Sequence, residues 1–294
     1  MNLNNTKECR FVYREILQGY TYLEEEDLYV KHFSESDLGY LEALYKKCEK
    51  KIQSLGIESV RDKLKFLKEE GYWTEDEENE YISAKWAVTD GYNFKEQLEL
   101  QDQKENFQKV IEEKEKIFDS IDQERKELIG PTIEGFCDKK TNEQYVRLAL
   151  FKDKDLKIPY FTEEEYEDIS YIKLGELVEK YNNAINKFTD KNSERIAVNG
   201  FFLNAFIMSD NDPVKFYGKS ILGLTMYQMN LYSKGKYFKS ILEEGKEPPD
   251  YLYDSMEENG LEPVVAWYHA AYLQIKNERN RRQNQAKSAA SRRR

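Results

Sequence analysis

The chain has 294 residues and a mass of 35.0 kDa, which is long enough for one large domain or two ordinary ones. Charged residues make up 34% of the sequence and aromatic residues 14%, and the high aromatic content argues against a disordered chain. No apolar run approaches the roughly 20 residues that span a bilayer, and the N-terminus lacks the apolar segment of a signal peptide, so the sequence predicts a cytoplasmic protein that is not inserted in a membrane.

Cysteine and histidine are scarce, which limits the chemistry that the chain can support. The three cysteines, Cys9, Cys48 and Cys137, are far apart in the sequence and form no CxxC pair, so we expect free thiols. His32 and His269 are the only histidines, too few for a histidine-built metal centre or a histidine-rich catalytic site. The sequence therefore predicts neither a metal ion nor a cofactor.

The N-terminal region predicts a small hairpin followed by two helices. Residues 10–33 carry short β-favouring runs on either side of Gly19, which is typical of a β-hairpin. Downstream, apolar side chains recur at helical spacing until Gly56, and the pattern returns over residues 58–70. Residues 1–90 are therefore expected to combine this hairpin with short helices.

Two segments carry the same signal for the start of a helix. Thr74 is followed three residues later by Glu77, and Thr162 is followed in the same way by Glu165. This spacing is that of a capping box, in which the threonine and the glutamate each bond the backbone of the other. We expect a helix to begin at each threonine, and the second helix to continue as far as Phe188.

Residues 94–129 are strongly charged, with a thin stripe of apolar positions typical of a long, partly exposed helix. A helix of this length would be roughly 50 Å long. The Gly-Pro pair at 130–131 ends it, and residues 143–151 are expected to return alongside, so that residues 91–158 form a long protruding helical hairpin. The sequence leaves open whether this arm contacts a partner or packs on its own domain.

Residues 196–242 are the densest apolar and aromatic stretch, and they predict the centre of a helical core over residues 159–275. Ser193 is expected to cap the first helix of this stretch. A later helix, over residues 224–242, is expected to be interrupted near Gly235.

No motif in the chain survives as a catalytic or ligand-binding signature. Residues 217–220 have the Gly-Lys-Ser of a phosphate-binding loop, but Pro213 stands where its first glycine is needed. Asp210 and Asp212 lack the glycine and distal glutamate of a calcium loop. No nucleophile motif accompanies either histidine, so the sequence predicts a protein that is not an enzyme and has no catalytic, cofactor-binding or metal-binding residues.

The last predicted helix begins at Glu262 and runs into a basic, flexible tail over residues 276–294. This tail has a net charge of +7, which leaves −18 for the remainder because the whole chain carries −11. It is interpreted as a nucleic-acid contact, a protein contact or a solvated end. The candidate contact residues are Arg279, Arg281, Arg282, Lys287, Arg292, Arg293 and Arg294.

Several short segments together resemble structural and morphogenesis proteins of tailed bacteriophages, especially the contractile-tailed group. They are residues 29–34 (YVKHFS), 71–74 (GYWT), 216–219 (FYGK), 224–228 (LTMYQ) and 249–252 (PDYL), followed by Trp267, Tyr268 and the basic end.

The resemblance implies a baseplate, neck or tail-assembly factor that has no catalytic residues and acts by contact with other phage structural or assembly proteins. It implies a place in the host cytoplasm during assembly, as a transient chaperone, or in the virion, as a permanent component. The mainly α, multi-helix fold predicted above fits both roles. The alternative function is that of a nucleic-acid-binding accessory factor that uses the C-terminal tail.

Overall fold

The computed structural model describes residues 3–98, 101–254, 256 and 260–291, which fold mainly as α-helices. The helices are α1 (Thr6–Gln18), α2 (Glu35–Ser54), α3 (Val60–Glu69), α4 (Glu75–Gln97), α5 (Gln101–Ile129), α6 (Ile133–Ala149), α7 (Glu163–Glu167), α8 (Tyr171–Ile185), α9 (Asp190–Ala197), α10 (Gly200–Met208), α11 (Pro213–Tyr217), α12 (Met226–Glu243), α13 (Asp250–Asp254) and α14 (Glu262–Ser291). The strands β1 (Tyr20–Leu23), β2 (Leu28–Lys31) and β3 (Leu150–Phe151) form an antiparallel sheet in that order. The predicted fold class is confirmed.

The chain divides into two compact units. Unit 1 consists of residues 1–41 and 143–294, and unit 2 of residues 42–142. Among the described residues of both units, no helix has the length and apolarity needed to cross a membrane.

The first element of unit 1 is a helix, α1, where the sequence predicted a strand. Asn5 caps its start, and Gly19 ends it in the left-handed conformation with φ of 79°. Val12 and Ile16, one turn apart, are fully buried on its inner face. The prediction of a strand before Gly19 is therefore wrong, whereas residues 20–31 form the predicted hairpin.

Both predicted capping boxes are present, at Thr74 and at Thr162. The helix that follows Thr162 is shorter than predicted, because α7 ends after five residues. Ser170 then accepts a hydrogen bond from the backbone N–H of Lys173 and begins a separate helix, α8. The prediction of one continuous helix to Phe188 is therefore wrong.

The core of unit 1 is built from residues 196–242, as predicted, together with α1 and α14. Phe202, Phe206, Leu231 and Phe238 are fully buried there. The rings of the three phenylalanines stack or meet edge to face with neighbouring aromatic rings, which is the favourable geometry for aromatic pairs.

Two local details of this core differ from the prediction. Thr189, not Ser193, caps α9, and the Ser193 hydroxyl instead donates to the backbone carbonyl of Thr189. Helix α12 runs through Gly235 without interruption. The glycine is needed for space, since a Cβ at this position would lie 3.0 Å from the ring of Phe206.

Unit 2 is dominated by a helical hairpin of α4 and α5. Tyr81 faces Phe118 across it, with ring centroids 5.6 Å apart, and a Cβ on Gly91 would lie 3.2 Å from Ile111. The partner of the long helix is therefore α4, whereas residues 143–151 complete α6 and form β3. The long helix begins at Gln101 rather than at residue 94, because residues 94–97 still belong to α4.

Candidate functional site

Four of the predicted basic residues lie on the last helix: Arg279, Arg281, Arg282 and Lys287. Arg279 donates to Glu244 Oε1 at 2.5 Å, and Arg282 lies 4.0 Å from Glu278. Arg281 is exposed, and Lys287 lies on the same helix. The remaining three predicted residues lie outside the described part of the chain: Arg292, Arg293 and Arg294.

A polar pocket of about 510 Å³ lies in unit 1, lined by residues of α9, α12 and α14. At its centre the ammonium of Lys234 donates to Asp190 Oδ2 at 2.6 Å and to Glu194 Oε1 at 2.9 Å. Burial by itself would lower the pKa of Lys234, but these hydrogen bonds outweigh burial and raise it. Lys234 is therefore a cation held by two carboxylates.

His269 connects Glu194 to Tyr237 in the same pocket. Its Nε2 lies 3.5 Å from Glu194 Oε2, and its Nδ1 lies 3.0 Å from the Tyr237 hydroxyl. Burial by itself would raise the pKa of Glu194, but the hydrogen bonds from His269 and Lys234 outweigh it and lower the pKa. Sequence patterns do not predict this cluster, because its members come from three separate helices.

The order carboxylate, imidazole, hydroxyl is also that of a hydrolase triad. Burial raises the pKa of Tyr237 to about 12, so the phenol keeps its proton at neutral pH. The charged groups of the pocket also lie on different helices, since Lys234 of α12 donates to Asp190 and Glu194 of α9. This arrangement favours a structural role, in which the network joins α9, α12 and α14.

His32, the other histidine considered as a base, is sealed inside unit 1. Its Nε2 lies 3.0 Å from the Thr21 hydroxyl, which donates to Glu15. The rings of Phe188 and Tyr227 cover it at centroid distances of 4.6 and 5.0 Å. Burial lowers the pKa of His32 to about 3. A neutral imidazole without solvent access has no route to a substrate.

The cysteines are free, as predicted. The fold nevertheless places two of them close to each other in unit 2, Cys48 on α2 and Cys137 on α6. Burial, aided by this neighbour, raises the pKa of Cys137 to about 12, so its thiol stays protonated. Among the described residues, no group of three or more His, Cys, Asp and Glu side chains has the geometry to hold a metal ion.

The hairpin of unit 2 carries several large apolar side chains that are exposed. Trp86 is 62% exposed, Ile117 58% and Phe94 50%. We call these three residues, with Ile82 and Val110, the hairpin surface. Tryptophan and other aromatic side chains are the residues that most often anchor protein interfaces.

The hairpin uses one of these exposed side chains, Phe94, in its own assembly, because the Phe94 ring packs against Phe107 of α5 with centroids 5.0 Å apart. Its two helices are joined on the inner side by Glu78 and Arg125, whose side chains are only 13% and 14% exposed. Arg125 also lies over the ring of Tyr81, 4.4 Å from its centroid. Lys95 donates to Gln108 at 2.6 Å near the other end. These contacts leave Trp86 and Ile117 exposed and available to a partner.

Neither a protein-family model, nor a curated protein, nor a solved structure matches this chain. The bacteriophage resemblance therefore stays a prediction.

Proposed function

We propose that the protein has no catalytic activity and acts by binding a protein partner through the hairpin surface. The observation that carries this proposal is the exposure of Trp86 and Ile117 on a hairpin whose inner contacts do not need them. Covering a large apolar side chain contributes roughly 1.5–3 kcal/mol, so a few such residues account for much of the affinity of an ordinary interface.

The resemblance to proteins of contractile-tailed bacteriophages extends the proposal to a role in virion or tail assembly. The partner is then another phage structural or assembly protein. Co-purification with mature particles distinguishes a virion component from a transient assembly factor, because only the former stays with the particle.

Affinity capture from the native lysate tests the proposal. We expect the double variant Trp86→Ala/Ile117→Ala to lose a partner that the unmodified protein retains. Met208→Ala/Leu222→Ala is the matched control, since Met208 and Leu222 are at least as exposed but lie in unit 1. Equal retention of every partner by the two double variants would contradict a role for the hairpin surface.

A second candidate function is nucleic-acid binding by the C-terminal helix. It is supported by the exposure of Arg281 and Arg282 on a helix that continues to Ser291. Phosphate contacts make such binding weaken steeply with salt. Truncation after Ile275 should abolish salt-dependent DNA binding, and unchanged binding by the truncated chain would rule out the tail.

A further inference from the structure

A second surface of unit 2 has an apolar floor. It is an open groove of about 570 Å³ beside α3. Val60 and Leu64, one turn apart, are only partly buried and form the apolar part of its lining. Beneath them lies the small core of Leu67, Trp73 and Ile129, which fixes the position of α3. The groove therefore has a firm base but an incompletely covered apolar surface.

The rim of this groove carries three cations together with the carboxylates of Glu69 and Glu134. Arg61, Lys65 and Lys68 follow one another at spacings of four and three residues, which places them on one face of α3 beside the apolar pair. The fourth cation of the helix, Lys63, is turned away and donates to the backbone carbonyl of Ile129 at 2.9 Å. A protein with a net charge of −11 thus presents a short basic stripe next to apolar side chains.

The charges of this stripe are only partly neutralised within the chain. Arg61 forms no ion pair with any residue that the structure describes. Lys65 lies 3.9 Å from Glu69, and both side chains are mostly exposed, so that contact contributes little. Lys68 is paired with Glu75 at 2.5 Å, and Glu134, also on the rim, accepts from the backbone N–H of Val60.

We propose that this groove, which we call the α3 groove, binds an acidic amphipathic segment of another protein. Apolar side chains of that segment cover Val60 and Leu64, while its carboxylates meet Arg61, Lys65 and Lys68. The proposal rests on the proposed function as a partner-binding protein and specifies the chemistry of a partner at a surface distinct from the hairpin surface.

Charge complementarity selects this occupant. A basic segment would be repelled by the three cations, and a purely apolar segment would leave Arg61 without a counter-charge at the edge of a covered interface. An acidic segment is also steered to this stripe and away from the rest of the chain, which is predominantly negative.

The probe for the test is a synthetic fluorescent peptide in which Leu and Glu alternate at helical spacing. Two further probes are a scrambled peptide of the same composition and a short DNA duplex. Each is titrated against the full-length protein by fluorescence anisotropy at two salt concentrations. The variant Arg61→Glu/Lys65→Glu/Lys68→Glu removes the stripe, and Lys47→Glu/Lys50→Glu/Lys51→Glu is the control, with the same change in charge on exposed positions of α2 in the same unit.

The expected result is binding of the amphipathic peptide that weakens at least about tenfold in the stripe variant and much less in the control variant. Circular dichroism and thermal unfolding check that both variants are folded. The proposal is overturned if both variants bind the peptide equally, if the scrambled peptide binds as tightly as the amphipathic one, or if the DNA duplex binds more tightly than either. Because the probe is a defined peptide, this test fails or succeeds independently of lysate capture through the hairpin surface.

Discussion

Arg125 donates two hydrogen bonds to the carboxylate of Glu78, from Nε to Oε2 and from Nη2 to Oε1, and both are 2.9 Å long. Trp73 donates a third hydrogen bond to Glu78 Oε2 at 2.8 Å. The hydrogen bond from Arg125 is the main reason that the pKa of Glu78 is lowered. A two-point contact of this kind fixes the relative rotation of α4 and α5 as well as their distance.

Arg125→Ala should lower the free energy of unfolding by about 1.5–3 kcal/mol, because it leaves a poorly exposed carboxylate without its main partner. Urea unfolding measures the change. Lys126→Ala is the neighbouring control, since Lys126 is mostly exposed and its pairing with Asp122 should contribute less than about 1 kcal/mol. A loss of equal size in the two variants would show that the Arg125 pair contributes no more than a surface pair.

Gly235→Ala should destabilise the protein, although alanine ordinarily favours a helix by about 1 kcal/mol over glycine. The added Cβ would lie 3.0 Å from three ring atoms of the buried Phe206, and overpacking of this kind costs roughly 1–3 kcal/mol. Gly175→Ala on α8 is the control, because nothing lies within 4 Å of a Cβ there, and it should gain up to about 1 kcal/mol. Thermal unfolding midpoints that rise equally in both variants would contradict the close contact.

Stability should fall as the pH drops from about 6.5 towards 3. The pKa of His32 is about 3 in the folded protein and 6.5 for an exposed histidine, so within this range the unfolded chain binds one more proton than the folded chain. This single group gives a slope of up to roughly 1.4 kcal/mol per pH unit, in the direction of greater stability at higher pH.

His32→Gln should flatten this dependence, measured as the free energy of unfolding in urea at pH 4, 5, 6 and 7. His269→Gln, at a partly exposed position, is the comparison. If the slope of His32→Gln equals that of the unmodified protein, other groups cause the acid sensitivity.

Thr74→Ala should lower the free energy of unfolding by about 1 kcal/mol. It removes the hydroxyl that accepts from the Glu77 backbone N–H at 3.2 Å and so leaves one N–H at the start of α4 without its cap. Thr89→Ala, at an exposed position within the same helix, should be nearly neutral or slightly stabilising. Chemical unfolding measures the free energy of unfolding of both variants. An equal change in Thr74→Ala and Thr89→Ala would contradict a specific contribution of the cap.

The sequence predicted those features that depend on neighbours three or four residues away. The capping boxes at Thr74 and Thr162 are of this kind, because the threonine and the glutamate of each box lie within one helical turn. The strand expected before Gly19 was wrong because β-favouring residues there also fit a helical face, and only burial of Val12 and Ile16 selects the helix.

Features that depend on contacts between residues far apart in the sequence could not be predicted in the same way. The pairing of α5 with α4 rests on contacts such as Tyr81 with Phe118, which are far apart in the sequence. The polar pocket was missed for the same reason, because Glu194, Lys234 and His269 lie on three different helices. The exposure of Trp86 likewise becomes visible only when the inner face of α4 is known.

The short sheet has a consequence for the order in which the protein can fold during synthesis. Val30 in β2 pairs with Leu150 in β3, so unit 2 is inserted in the sequence between two paired strands of unit 1. The backbone N–H of Leu3 likewise donates a hydrogen bond to the side-chain oxygen of Asn192, which follows unit 2 in the sequence. Unit 2 is a continuous segment, so all of its residues are synthesised before residues 143–294 of unit 1. The apolar face of α1 can be buried only after the helices that follow unit 2 have been synthesised.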